Sequence, residues 1–118
     1  MMKNSSFVEI DLNRAVEELD LELVTGESNK KIEGIYICDL LSNVIASASS
    51  GDIWLTVQGH LNILAVADLT DVAAVVVVEG NQPDQDTIER AKDKGITLLK
   101  SNKPAFELAV DLHYLGRN

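Results

Sequence analysis

The residues of this sequence that could contribute to chemistry follow the ends of predicted strands. They are Asp39, Gln58, Gly59, His60, Asn62, Glu79, Gly80, Asn81, Ser101 and Asn102. In an open α/β sheet the carboxyl ends of parallel strands lie at one edge, and ligands bind beyond that edge. Amide and hydroxyl groups recognise polar ligands by hydrogen bonds and rarely carry covalent chemistry. The pattern therefore predicts ligand binding, rather than catalysis, at this edge.

The stretch 58–62, which reads Gln-Gly-His-Leu-Asn, is the most concentrated of these clusters. Its alternating Gln58, His60 and Asn62 could present three polar groups to one ligand, with Gly59 leaving room for it. Alternatively, His60 and Asn62 cap the following helix while Gln58 lies in solvent.

Metal and nucleophile chemistry have little support in the sequence. His60 and His113 lack the spacing of paired metal ligands and there is no second cysteine, so we predict no metal site and no cofactor. Cys38 beside Asp39 could form a thiol–histidine pair with His60, but a buried cysteine at a strand end is the commoner arrangement. We predict no catalytic residue and expect the protein not to be an enzyme.

Phosphate-binding motifs are also missing from the sequence. It contains neither GxxxxGK[ST] nor GxGxxG, and a single glycine before a helix, Gly80, is a weak signal. Asp84 and Asp86 would repel an anion at the start of that helix. Trp54 is expected in the core or at a dimer face, with base stacking as the alternative.

These side chains need a scaffold, and residues 73–99 define it. The apolar run Ala73–Val78 suits a strand that is buried on both faces, as in parallel sheets. The loop through Gly80 and Pro83 ends the strand, Asp84 opens a helix, and Gly95 closes it before a second apolar run. This is a β-α-β unit.

Strands and helices alternate along the rest of the chain. Strands are predicted over 21–25, 32–38 and 52–57, and helices over 12–19, 40–46, 61–69 and 104–115. Asp11 and Asp39 are expected as helix caps. The last helix should bury Ala105, Leu108, Ala109, Leu112 and Leu115, with Phe106, Val110 and His113 widening that face. The predicted fold is a single α/β domain with a mostly parallel sheet of about five strands flanked by helices.

Composition excludes several classes of partner. The 118 residues carry a formal charge of −9, which disfavours nucleic acid and anionic membranes. The longest strictly apolar run, Val72–Val78, is far short of the roughly 20 residues that a membrane helix needs. A single cysteine and an N-terminus without a signal peptide predict a cytoplasmic, soluble protein. Residues 1–10 are expected to be a flexible segment and 11–118 the folded domain.

Three separated blocks, 34–44, 51–63 and 73–99, resemble the DRTGG-domain family in the same order along the chain. The resemblance covers roughly residues 11–116. It is strongest to stand-alone members whose genes lie among those for iron-only hydrogenases. At the name-giving motif, Glu33-Gly34-Ile35 replaces Thr-Gly-Gly and Asn29-Lys30 replaces Asp-Arg, so only Gly34 is retained. The ligand-binding residues that the resemblance to the stand-alone members implies are Asp39, Gln58, His60, Asn62 and Gly80.

This resemblance implies a fold like the N-terminal domain of HPr kinase and a regulatory role. DRTGG domains occur within phosphotransacetylases and within nucleotide-regulated pyrophosphatases that carry CBS domains. We therefore expect a non-catalytic homodimer that binds a small polar, nucleotide-like ligand or docks on a redox-enzyme or signalling partner. The alternative is an accessory protein that assembles an iron-only hydrogenase by protein–protein contact. A small enzyme using Cys38 or His60 is the third hypothesis.

Overall fold

The structure is a computed structural model and describes residues 7–117. The elements, in chain order, are β1 Ile10–Asp11, α1 Leu12–Glu18, β2 Glu22–Thr25, β3 Lys31–Ile32, β4 Gly34–Ile37, α2 Leu41–Ser47, β5 Asp52–Thr56, α3 Asn62–Thr70, β6 Ala74–Val77, α4 Gln85–Lys94, β7 Leu98–Lys100 and α5 Ala105–Leu115.

The main sheet within residues 7–117 has five strands in the order β2-β7-β6-β5-β4. Strands β4 to β7 are parallel, and β2 joins the outer side of β7 in the antiparallel direction. Every residue of β5 and β6 is buried, as expected for parallel strands covered on both faces. The predicted α/β domain with a mostly parallel sheet of about five strands is confirmed.

Helices cover both faces of this sheet, and the alternation of side chains along each strand divides the core. Ile53 and Leu55 of β5 pack with α1 and α5, whereas Trp54 between them packs with α2, α3 and α4. Trp54 is fully buried, so it is a core residue. It is available neither to a dimer face nor to base stacking.

The predicted β-α-β unit is present as β6, α4 and β7, and it ends at Lys100, one residue beyond the predicted range 73–99. Asp84 is the N-cap residue of α4, and Gly95 follows the helix with φ 70°. A left-handed residue at this position lets its N–H bond to Ala91 O and Lys92 O.

The strand predicted over 32–38 is interrupted at Glu33. Its first part, β3, pairs antiparallel with β1 in a separate ribbon, whereas β4 enters the main sheet beside β5. Asp39 does not cap the helix that follows, because α2 starts at Leu41 with Leu40 as its N-cap residue. The carboxylate of Asp39 turns back toward β5 instead.

Both ends of the described chain meet at α5. Of the N-terminal segment that we expected to be flexible, residues 1–6 lie outside the described residues. Phe7 bridges to Arg117 and its ring stacks on His113, while Ile10 is buried. The expectation that Phe106 widens the inner face of α5 is wrong, since its side chain is 76% exposed.

A helix that spans a membrane must be both long and apolar. Within residues 7–117, no helix is long and apolar enough to span a bilayer.

Candidate ligand-binding site

The carboxyl ends of β4 and β5 are joined through the carboxylate of Asp39. Its Oδ1 accepts hydrogen bonds from the Thr56 hydroxyl at 2.8 Å and from the Val57 N–H at 2.9 Å. The side-chain amide of Gln58 donates to the backbone carbonyl of Asp39 at 3.1 Å. The structure therefore brings Asp39 and Gln58 together. Asp39 is exposed, so its carboxylate has acceptor sites left for a ligand.

A hydrogen bond from the buried Trp54 holds the end of β4 in place. The indole N–H donates to the carbonyl of Cys38 at 2.8 Å. The thiol of Cys38 is half-buried and points to the carbonyl of Leu40 at 3.7 Å. The hydrogen bonds of Cys38 and His60 in the described chain lead to other residues, so the geometry gives no thiol–histidine pair.

His60 pairs with a residue that the sequence analysis had considered only as a repulsive charge. Its Nδ1 lies 2.7 Å from Asp84 Oδ2, and the two side chains are 71% and 48% exposed. Neither His60 nor Asn62 makes a side-chain cap bond to α3, whose N-cap residue is Leu61. The capping alternative is therefore not what the structure has.

The loop that carries His60 is clamped to the start of α4 by backbone contacts. The carbonyl of Gly59 accepts hydrogen bonds from the Asp84 N–H and the Thr87 hydroxyl, each at 2.9 Å. A Cβ on Gly59 would lie only 2.8 Å from Gln82 O and 3.1 Å from the Cα of Pro83. The glycine thus leaves room for the neighbouring loop of the protein, not for a ligand.

Gly80 belongs to the next loop along the edge. Glu79 and Gly80 are both left-handed, with φ of 61° and 73°. Their N–H groups donate to Lys103 O and Ser101 O, each at 3.0 Å. Because these donors are used within the protein, this turn is not an anion-binding nest. Gly80 faces the exposed Asn102.

Lys100 and Glu22 are polar edge residues that the sequence analysis missed. The ammonium group of Lys100 donates to Gln82 Oε1 at 2.8 Å and lies 3.6 Å from Glu22 Oε1. A small cavity of about 130 Å³ opens beside them, lined by Asp20, Leu21, Glu22, Lys100, Ser101 and Asn102. No local sequence pattern predicts this cavity, because it forms only when β2 pairs with β7.

Asn62 lies apart from the other predicted residues. It is the first residue of α3 and lines a groove between α3 and α4. The five predicted residues therefore form one contacting pair, Asp39 and Gln58, and three separate positions. Ligand contact at each of them stays a prediction.

Among residues 7–117, no group of three or more His, Cys, Asp and Glu side chains could hold a metal ion.

The fold and its polar edge define an α/β domain of a kind known from solved structures. The regulatory region of Clostridium perfringens pyrophosphatase, comprising CBS and DRTGG domains in complex with the activator diadenosine tetraphosphate, is similar, with a TM-score of 0.70 and 21% identity. The match covers 90% of this chain and 46% of that one. This likeness supports a DRTGG-related fold. No protein-family model and no curated protein matches the sequence.

Proposed function

We propose that this chain is a non-catalytic regulatory module that binds a small polar, nucleotide-like ligand at the carboxyl edge of its sheet. The observation that carries the proposal is the construction of that edge. Adjoining loops are tied to each other by backbone and buried hydroxyl groups, while the side chains of Gln58, His60 and Asn102 stay at the surface. Rigid loops that present polar side chains suit recognition, because little ordering is needed on binding.

The similar pyrophosphatase region supports the class of ligand. That region is regulatory and was solved with diadenosine tetraphosphate. Its likeness to this chain concerns the fold, so the ligand enters here as part of the proposal. The single cysteine, which cannot form an internal disulfide, supports a cytoplasmic protein.

Thermal unfolding with a nucleotide panel tests the proposal. Diadenosine tetraphosphate, ATP or AMP should raise the melting temperature by mass action. Gln58→Ala and His60→Ala should abolish the rise, whereas Asn13→Ala, which removes an exposed amide on α1, should keep it. A panel without a single shift contradicts ligand sensing. An undiminished rise in melting temperature in both Gln58→Ala and His60→Ala would show that the ligand binds elsewhere.

A docking function is the second candidate, and one observation favours it. Phe106, Val110 and Tyr114 are exposed at helical spacing on α5 and form an apolar stripe. We propose that this stripe would contact an iron-only hydrogenase or a related redox enzyme if the chain is a stand-alone assembly factor. Binding of the purified apo-hydrogenase should then be lost in Phe106→Ser and kept in Gln58→Ala.

A further inference from the structure

A groove between α3 and α4 has the size and lining of a binding site. Its volume is about 450 Å³, within the range of roughly 300–1,000 Å³ typical of small-molecule sites. The lining residues are Leu61, Asn62, Leu64, Ala65, Arg90 and Lys94.

The chemistry of the groove is divided between its two helices. Leu61, Leu64 and Ala65 supply an apolar surface from α3 and the turn before it. Arg90 and Lys94 lie four residues apart, so they project from the same side of α4. No carboxylate belongs to the lining, although the chain as a whole carries 19 acidic residues and a charge of −9.

One acidic residue near the groove engages Lys94 only weakly. Asp68 Oδ2 lies 3.7 Å from Lys94 Nζ, and their side chains are 71% and 39% exposed. A pair this long and this hydrated contributes little, so Lys94 can turn to an anion in the groove.

We propose that this groove binds a small organic anion with an apolar body. The body packs on Leu61, Leu64 and Ala65, and the anionic group pairs with Arg90 and Lys94. The amide of Asn62 is placed to hydrogen-bond a polar substituent. Asn62 therefore serves a site different from the one that the sequence analysis assigned to it.

The length of the groove selects a small molecule over a partner helix. The lining covers residues 61–65 and 90–94, about 6 Å along each helix axis at 1.5 Å per residue. A helix bound in a groove is anchored over at least two turns, or about 10 Å. The charge complementarity and the short length together favour a compact anion. This inference does not depend on the ligand proposed for the carboxyl edge.

Fluorescence of anilinonaphthalene sulfonate, an aromatic anion, tests the groove in the full chain. We expect saturable binding of one dye molecule that weakens as salt is raised. The double variant Arg90→Gln/Lys94→Gln should weaken the affinity about tenfold. Lys92→Gln removes a charge from the same helix outside the lining and should leave the affinity unchanged.

A second variant tests the apolar wall. Ala65 is exposed, so Ala65→Glu should fold normally while its carboxylate occupies the groove and abolishes dye binding. Equal affinity in the double variant and in Lys92→Gln overturns the proposal, as does the absence of saturable binding. Gln58→Ala should keep dye binding, so failure of the groove and failure of the carboxyl-edge site are distinguished.

Discussion

At the scale of single residues, Asp39 has hydrogen-bond partners that the sequence did not predict. Its type and its position after a strand indicate a cap or a ligand contact. In the structure its carboxylate holds the hydroxyl of Thr56 and the N–H of Val57. These groups are 17 and 18 positions away in sequence and become neighbours only when β4 pairs with β5.

Replacing Asp39 should therefore destabilise the fold whether or not a ligand binds. The Thr56 side chain is 1% exposed, so Asp39→Ala leaves a buried hydroxyl without its acceptor, and we expect a loss of about 1–3 kcal/mol in the free energy of unfolding. Asp39→Asn keeps the Oδ1 acceptor and should lose less than half as much. Urea unfolding of both variants measures the difference. Equal losses would show that the charge, not the acceptor, matters.

At the scale of elements, the sequence predicts helices and strands whose signals are local. It does not predict which distant strands pair with each other. The β-α-β unit over 73–99 is correct because its strand run, helix cap and terminal glycine are all local signals. The strand over 32–38 breaks at Glu33 because β3 pairs with β1, which no local pattern encodes. The contact between Lys100 and Glu22 was not predicted for the same reason, because β2 pairs with β7 from a distant part of the chain.

Helix α5 offers a test of which apolar positions are structural. Leu108 is fully buried against the sheet, so Leu108→Ala should cost about 2–5 kcal/mol in the free energy of unfolding. Phe106, two residues earlier, is mostly exposed, and Phe106→Ala should change stability by no more than about 0.5 kcal/mol. Chemical denaturation of the matched pair gives both values. A large loss for Phe106→Ala would place this side chain in a packed environment.

At the scale of the whole molecule, a homodimer would need a surface that does not include Trp54. Trp54 was considered for a dimer face, but it lies in the core. Exposed apolar side chains remain around α2 and α3, which pack against each other. Leu40, Ile45 and Leu69 are 60%, 48% and 70% exposed, and we call them the α2–α3 face. None of them lines the groove between α3 and α4.

We propose that the α2–α3 face pairs with the same face of a second copy. Exposed apolar side chains are stabilised by burial, and a twofold axis places equivalent residues against each other. Light scattering at micromolar concentration should then give twice the chain mass of 12.9 kDa. Ile45→Glu should yield a monomer, because the interface would bury two unpaired carboxylates.

The control for this experiment is the apolar stripe on α5 formed by Phe106, Val110 and Tyr114. Phe106→Glu places the same charge on α5, far in sequence from Ile45, and should leave the dimer intact. A wild-type chain that scatters as a monomer contradicts the proposed homodimer. Dissociation by Phe106→Glu but not by Ile45→Glu would instead assign self-association to α5, and the stripe proposed for a redox-enzyme partner would be occupied by a second copy.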